Sequence, residues 1–173
     1  MNAEDNVRLT SIGLGTPCGT LLRQYWQPVA LVDEFAPAVD PAMGVRPVKP
    51  LQILGEELVL FRDAAGRFGL LQRHCPHRGA DLSFGRLEST GTSRWGAPSN
   101  GLRCPFHGWK FGVDGRCFDT PAEPEGSTLC DRVAATAYPV EVRSGVVFAF
   151  LRRGEPPPPA ALVGVSAPHT HTF

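Results

Sequence analysis

Two short segments decide the fold of this chain: Cys75-Pro76-His77-Arg78-Gly79 and Cys104-Pro105-Phe106-His107-Gly108-Trp109. We call them the first loop (75–79) and the second loop (104–109). Each offers one thiol and one imidazole. Two cysteines with two histidines are the ligand set of a tetrahedral zinc site, or of a [2Fe–2S] cluster in which histidines replace two of the cysteines. The segments therefore predict a metal centre.

The order of ligands within each loop favours iron and sulfide over zinc. Zinc sites usually pair like ligands at C-x₂-C or H-x₃₋₅-H spacing, because both members of a pair must reach one metal. Here each loop mixes a cysteine with a histidine, which suits a cluster with thiolates on one iron and imidazoles on the other. We expect Gly79 and Gly108 to let backbone N–H groups approach the sulfides. A structural zinc site stays open as the alternative.

The composition is that of an ordinary globular protein of 173 residues. Lys and Arg number 17, as do Asp and Glu, so net charge gives no argument for binding nucleic acid or a membrane. There is no signal-peptide pattern, and no stretch approaches the roughly 18 apolar residues of a membrane helix. We expect a cytoplasmic location, with Cys18, Cys117 and Cys130 buried and reduced.

A single helix is predicted near the N-terminus. Thr16 can cap it, Pro17 suits its first position, and Pro28 ends it. Its apolar residues are expected to lie on one side of the helix, and they are Leu21, Leu22, Tyr25 and Trp26.

Strand and turn signals dominate from about residue 45 and predict an all-β protein. Hairpins are expected around 55–57, 63–66, 113–115 and 144–145. Asp114-Gly115 is typical of a type I′ turn. Residues 89–100 are rich in Gly, Ser and Thr and predict an irregular surface loop between the two ligand loops.

Both loops resemble the cluster-binding loops of Rieske non-heme iron oxygenases. Four further stretches resemble the phthalate dioxygenase branch of that family, namely 15–17, 22–29, 54–62 and 145–150 with the proline run after it. The resemblance implies a Rieske-type antiparallel β-sandwich. It also implies an inserted cluster-binding subdomain, similar to rubredoxin or a zinc ribbon, and a short N-terminal helix.

The resemblance divides the chain into three regions. Residues 1–40 would be an N-terminal helical segment packed on the Rieske domain, residues 41–153 the Rieske [2Fe–2S] domain, and residues 154–173 a proline-rich linker with the start of a catalytic domain. In the family that catalytic domain holds mononuclear Fe(II) by two histidines and a carboxylate. His169 and His171 have no Asp or Glu nearby. We therefore expect this chain alone to transfer electrons without oxygenating a substrate, and we assign no catalytic residue.

The resemblance also assigns the ligands. Cys75 and Cys104 would be thiolates on one iron, and His77 and His107 neutral imidazoles on the other. The residues expected next to the cluster are Arg78, Gly79, Gly108 and Trp109. His74 is expected to be structural.

Three positions differ from the Rieske proteins of respiration and photosynthesis. Ala80 and Phe106 stand where those proteins carry a disulfide between the loops, and Trp109 stands where they carry a serine that donates to a sulfide. We therefore expect a reduction potential toward the low end of the Rieske range of about −150 to +300 mV. A midpoint above about +150 mV on that scale would contradict this expectation.

The leading functional prediction is the electron-transfer domain of an aromatic-ring-hydroxylating or demethylating oxygenase, an oxidoreductase. It implies a reductase or ferredoxin as electron donor, and neighbouring alpha subunits in a homotrimer. A surplus of basic residues near the loops would guide an acidic donor, or would simply be solvated: Arg73, Arg78, Arg86, Arg94, Arg103, Lys110 and Arg116. Two alternatives remain, a free-standing Rieske ferredoxin and a structural zinc ribbon.

The gap between the loops is longer than is usual in the family, so residues 89–100 are predicted to be a protruding insertion whose deletion leaves the cluster spectrum unchanged.

Overall fold

The fold consists of three antiparallel β-sheets with three short helices in the described residues. A computed structural model describes residues 2–35, 47–89, 99–124, 126–152, 154 and 156–157. The helices are α1 (Ala3–Thr10), α2 (Pro17–Leu22) and α3 (Leu129–Arg132). The strands are β1 (Trp26–Leu31), β2 (Val48–Ile53), β3 (Glu56–Arg62), β4 (Phe68–Gln72), β5 (Arg86–Glu88), β6 (Gly101–Arg103), β7 (Lys110–Phe111), β8 (Cys117–Asp119), β9 (Ala137–Tyr138), β10 (Val140–Arg143) and β11 (Val146–Phe150).

The strands form an outer sheet (β1-β11-β10), a central sheet (β2-β3-β4-β9) and a site sheet (β5-β6-β7-β8). The central sheet is apolar on both faces. Leu58 and Leu60 of β3 pack with outer-sheet residues such as Val147. Their neighbours Val59 and Phe61 pack with residues of the site sheet and the loops. This is why β3 is a continuous apolar run: strands buried on both faces do not alternate with polar residues.

The predicted hairpins are present, and two of them use tight turns with positive φ. Leu54 and Gly55 have φ of 49° and 79° between β2 and β3, and Ser144 and Gly145 have 47° and 77° between β10 and β11. Two consecutive positive φ values are typical of a type I′ turn, which matches the twist of the strands it joins. Pro139 then separates β9 from β10, so the chain passes from the central sheet to the outer sheet at that residue.

The turn at Asp114-Gly115 differs from the type I′ prediction. Only Gly115 has a positive φ, of 81°. Gly115 N–H donates to Gly112 O at 3.0 Å, and Gly112 N–H donates to Arg116 O at 2.9 Å. The connection is therefore a longer loop in which glycine takes the single left-handed position, and the register of β7 with β8 shifts beside it.

The N-terminal region also differs from the prediction. Thr16 does cap α2, accepting from Gly19 N–H at 3.1 Å, with Pro17 at the start. However, α2 ends at Leu22, and Trp26 begins strand β1, which contains Pro28. Among the described strands β1 pairs with β11 alone, so it is an edge strand of that sheet, where a residue without an N–H is tolerated. The prediction that Leu21, Leu22, Tyr25 and Trp26 share one side of a single helix is wrong. Leu21 and Leu22 belong to α2, Tyr25 lies in the bend after it, and Trp26 belongs to β1.

Two further corrections concern exposure and helix number. Leu21 and Tyr25 are exposed, and Cys18 is only partly buried, whereas Cys117 and Cys130 are buried as predicted. A second helix, α1, precedes the expected one; it begins at the cap residue Asn2 and buries no residue. No apolar core stripe marks it in the sequence, and it was missed.

The all-β, Rieske-type prediction is confirmed by these three antiparallel sheets. The proposed domain boundaries are at 40/41 and 153/154, and residues 40, 41 and 153 lie outside those described, so the boundaries stay a prediction. The insertion stays a prediction as well, because its residues 90–98 lie outside. His169 and His171 lie outside as well. None of the helices in the described ranges has the length and apolar character needed to cross a membrane.

Candidate metal centre

The first loop follows β4 and is closed by its own backbone. Cys75 N–H donates to Ala80 O at 2.9 Å, and Gly79 N–H donates to Cys75 O at 2.8 Å. Gly79 has a φ of 70°, which glycine adopts without steric cost. Its N–H is therefore engaged inside the loop. The expectation that these glycines let backbone N–H groups approach the sulfides stays a prediction. The amides that reach sulfur belong to His77 and Arg78, which donate to the Cys75 side chain.

The second loop follows β6 and has the same closure. Cys104 N–H donates to Trp109 O at 2.8 Å, again spanning five residues. Gly108, with a φ of 74°, stands four residues after its cysteine, as Gly79 does in the first loop. The glycines are thus required by backbone geometry, and this explains why both loops carry one at the same distance from the cysteine.

The two closures bring like ligands together. Cys75 and Cys104 are 3% and 4% exposed and pack in the same core cluster, close enough for Cys104 to add to the raised pKa of Cys75. His77 and His107 are partly exposed, with ring centroids 4.8 Å apart. The mixed loops therefore assemble a buried pair of sulfurs and a more exposed pair of imidazoles.

The surroundings favour the neutral forms of the free side chains. Burial raises the pKa of Cys75, and the neighbouring Cys104 adds to the rise, against the lowering effect of the two amides. Burial lowers the pKa of His77, as do His107 and Arg78 beside it. Neutral imidazole is the form that binds metal, whereas a thiol must lose its proton on binding.

Aromatic contacts join the loops. The Trp109 indole stacks on the His77 imidazole with centroids 4.3 Å apart and an interplanar angle of 1°. Phe106, which is exposed, lies against His107 at 3.9 Å between centroids. A residue of the second loop thus packs on a predicted ligand of the first, which is a non-covalent link between the loops where Ala80 and Phe106 exclude a disulfide.

An arginine–aspartate pair stabilises the first loop at its base. Arg73 donates to Asp81 Oδ2 from Nε at 2.9 Å and from Nη2 at 2.6 Å. Asp81 Oδ1 accepts from Ser83 N–H at 2.8 Å. Burial alone would raise the pKa of Asp81, but these bonds outweigh it and lower the pKa to about 2. Asp81 is therefore an ionised carboxylate that links the base of the first loop to the following 3₁₀ turn, Leu82–Phe84.

A second arginine stabilises the other loop. Arg103 Nη1 donates to the backbone carbonyl of Gly108, and the same side chain donates to Glu88 Oε2 at 2.6 Å and pairs with Asp119 Oδ2 at 2.9 Å. Sequence reading missed Arg73, Asp81 and Arg103 as part of the site. An arginine one or two residues before each cysteine was the available signal.

The basic surplus is largely neutralised inside the protein. Ion pairs engage Arg73, Arg86, Arg103, Lys110 and Arg116 with neighbouring carboxylates. Arg78 is exposed and forms no ion pair with the described residues, and Arg94 lies outside them. Of the basic residues near the loops that the structure describes, Arg78, beside His77, is therefore the one without an ion pair. His74 is structural as expected, its ring nitrogens contacting Gly79 O at 3.2 Å and Glu57 Oε2 at 3.1 Å.

The donor set fits a Rieske-type cluster. Such a cluster takes two thiolates on one iron and two imidazoles on the other, and the loops present these ligands as two like pairs. Among the residues that the structure describes, no three His, Cys, Asp or Glu side chains are grouped as they would be around a single ion. The loops therefore bring together a pair of cysteines and a separate pair of histidines, and do not arrange four ligands around one ion.

Known proteins agree with this fold and these loops. The Rieske [2Fe-2S] domain model matches residues 25–139. The chain is 45% identical over 151 residues to phenoxybenzoate dioxygenase subunit alpha of Ectopseudomonas oleovorans, covering 87% of this chain and 32% of that protein. It is 38% identical over 155 residues to 5,5'-dehydrodivanillate O-demethylase oxygenase subunit of Sphingobium sp., with the same coverage.

A solved structure of carbazole 1,9a-dioxygenase, an oxygenase variant in complex with ferredoxin, matches with a TM-score of 0.60 and 29% identity. The match covers 80% of this chain and 31% of that one. The chain thus spans about a third of the length of the curated relatives it matches. With a family match across residues 25–139 and this agreement in fold, the chain belongs to the Rieske [2Fe-2S] domain family, and its relatives are oxygenase subunits.

Proposed function

We propose that Cys75, His77, Cys104 and His107 hold a Rieske [2Fe–2S] cluster and that the chain transfers single electrons through it. The observation that carries this proposal is the pairing of ligands: two buried thiols in one core cluster and two imidazoles with centroids 4.8 Å apart. When bound, such a cluster supplies reversible one-electron chemistry, because neutral imidazoles make it less negative than an all-cysteine cluster.

The chain's own residues would orient the ligands and limit access of water. His77 and Arg78 amides donate to Cys75 sulfur and favour its thiolate. Trp109 covers one face of the His77 ring. His77 and His107 are partly exposed, so the imidazole side is the nearer route for an electron between the site and a partner.

We further propose that the chain is the electron-entry part of a Rieske oxygenase, an oxidoreductase acting on aromatic compounds. Supporting this are the curated relatives, which are oxygenase subunits about three times as long as the matched region. The mononuclear Fe(II) site would lie in the part of such a protein that this chain does not match. Neighbouring alpha subunits in a homotrimer and a cytoplasmic location belong to the same proposal.

A ferredoxin or reductase is the proposed electron donor. A structural relative is a complex of an oxygenase with ferredoxin, which supports a donor of that class. On this chain, exposed Phe106 against His107 and exposed Arg78 beside His77 form the surface nearest the imidazoles. An apolar contact with one free cation suits a donor that carries acidic residues around an apolar centre.

The test is reconstitution of the chain with ferric iron and sulfide under argon, which supplies both irons in the oxidation state of the oxidised cluster. We expect iron and sulfide in equal amounts, about two of each per chain, and a brown colour that bleaches on reduction. Cys75→Ser and His107→Ala should abolish the spectrum, whereas His74→Gln, a change in a neighbouring non-ligand histidine, should retain it. A colourless chain with one tightly bound zinc would support the zinc ribbon and reject the proposal.

A further inference from the structure

A row of charged residues crosses the site sheet directly beneath the second loop. Cross-strand partners in this row are Arg86 with Arg103, Arg103 with Lys110, and Lys110 with Asp119. Each of the four strands contributes one of them. Three neighbouring cations in one row would destabilise the sheet, because like charges directly opposite each other repel.

Two carboxylates offset two of these three positive charges. Glu88, on β5, lies 2.6 Å from Arg86, 2.6 Å from Arg103 and 3.7 Å from Lys110. Asp119, on β8, lies 2.9 Å from Arg103. Lys110 is 2% exposed and also donates to Ser99 Oγ at 2.8 Å. Partly buried charges arranged in this way persist only when each is paired and hydrogen-bonded.

Arg103 is the member of the row that reaches the loop. Its side chain is 15% exposed. Nε and Nη2 are held by Glu88 and Asp119, which leaves Nη1 directed at the carbonyl of Gly108. Gly108 follows the predicted ligand His107 directly. A guanidinium suits this task, because its fixed fork makes three separate bonds from one rigid plane.

We propose that Arg103 is a positioning residue: clamped by Glu88 and Asp119, it fixes the Gly108 carbonyl and thereby holds the second loop, and with it His107, in the geometry that retains the cluster. This inference rests on the proposed function of the loops as cluster ligands. It assigns to the site a residue that touches no ligand side chain, and it makes the charged row a support for the loop as well as a part of the sheet.

The experiment compares Arg103→Met with Arg86→Met, a matched control that removes a cation of the same row whose side chain bonds Glu88 and not the Gly108 carbonyl. Two rates are measured in each variant. One is amide hydrogen exchange in 104–109, and the other is release of iron from the loaded chain to a chelator. Arg103→Met removes a hydrogen bond between a charged group and the Gly108 carbonyl, so we expect it to accelerate both rates by about tenfold or more, equivalent to about 1.4 kcal/mol or more. Arg86→Met should change them by less than about threefold, as expected for an exposed ion pair.

Arg103→Lys keeps the charge but not the three-bond fork, and it should release iron faster than wild type and more slowly than Arg103→Met. If Arg103→Met does not fold, this variant decides the question alone, and a release rate equal to that of wild type overturns the proposal. Equal rates for Arg103→Met and Arg86→Met also overturn it. If the wild-type chain binds no cluster, the proposed function fails, but the clamp can still be tested by amide exchange in 104–109. Accelerated exchange in Arg103→Met supports the clamp, and unchanged exchange rejects it.

Discussion

At the scale of single residues, the first loop depends on a carboxylate that is not a ligand. Asp81 receives two bonds from Arg73 and one from the Ser83 amide, and its pKa falls from 3.8 to about 2. A carboxyl whose pKa is lower in the folded state stabilises the fold above its ordinary pKa, and that stabilisation is lost as pH falls through the folded value. The relevant window is therefore between about pH 4 and pH 2.

The expected consequence is that Asp81→Asn destabilises the chain by about 2 kcal/mol at pH 7, and by about half of that at pH 3. The measurement is urea unfolding of both proteins at the two pH values. Asp114→Asn is the control: exposed Asp114 pairs with Arg116 at 3.5 Å and accepts from Arg116 N–H at 3.1 Å through Oδ1, an acceptor that Asn keeps. This substitution should cost less than about 0.5 kcal/mol. A loss for Asp81→Asn that is the same at both pH values would show that its ionisation is irrelevant.

The stack of Trp109 on His77 gives a second prediction. Trp109→Ala should leave one face of the imidazole open, so diethyl pyrocarbonate should modify His77 of the iron-free chain faster than in wild type. Trp109→Phe should keep most of the protection, because an aromatic face remains. His74 serves as the internal reference, since its partners are Glu57 and Gly79. An unchanged His77 rate in Trp109→Ala contradicts the role assigned to the stack.

At the scale of elements, the site depends on how closely β6 and β7 approach. A Cβ at Gly101 would lie 2.4 Å from the Phe111 carbonyl oxygen, a contact that only backbone movement can relieve. Because β6 leads into Cys104 and β7 follows Trp109, such a movement would widen the base of the second loop.

We therefore expect Gly101→Ala to destabilise the chain by about 3 kcal/mol, the upper part of the usual cost of overpacking. Gly13→Ala is the control, since its Cβ would meet nothing within 4 Å. Urea unfolding measures both. Equal stabilities of the two variants would mean that the sheet tolerates the wider spacing.

The sequence predicted the hairpins correctly where a single glycine determines the backbone conformation of the turn. The turns at Gly55 and Gly145 need positive φ, and glycine marks such positions. The Asp114 turn and β1 were misjudged because their conformation depends on partners: the first on the shifted register of β8, the second on pairing with β11. Pro28 ends a helix in isolation but is tolerated on an edge strand.

At the scale of the whole molecule, three sheets place the two loops together. The central sheet carries a core on each face, so β3 and β4 support both the outer sheet and the site sheet. His77 and Cys104 are separated by 26 residues in sequence (78–103). The two loops nevertheless come together, because both pack on the same core, which includes Cys75, Cys104 and Trp109.

The proposed ligands could be selected from the sequence alone, since cluster chemistry requires those residue types. The supporting charges were not, because an arginine in a sequence does not reveal its partner. Arg103 looked like a surface cation available to a donor protein, and the structure commits it to Glu88, Asp119 and Gly108. Only the register of four strands brings those groups together.

The central claim is that one iron carries the two cysteines and the other the two histidines. Pulsed electron paramagnetic resonance of the reduced, reconstituted chain, with nitrogen-15 in histidine only, tests it most directly. We predict couplings from two histidine nitrogens, with one lost in His77→Cys or His107→Cys and both retained in His74→Gln. A paramagnetic centre without histidine couplings, or couplings that vanish in His74→Gln, would contradict the account.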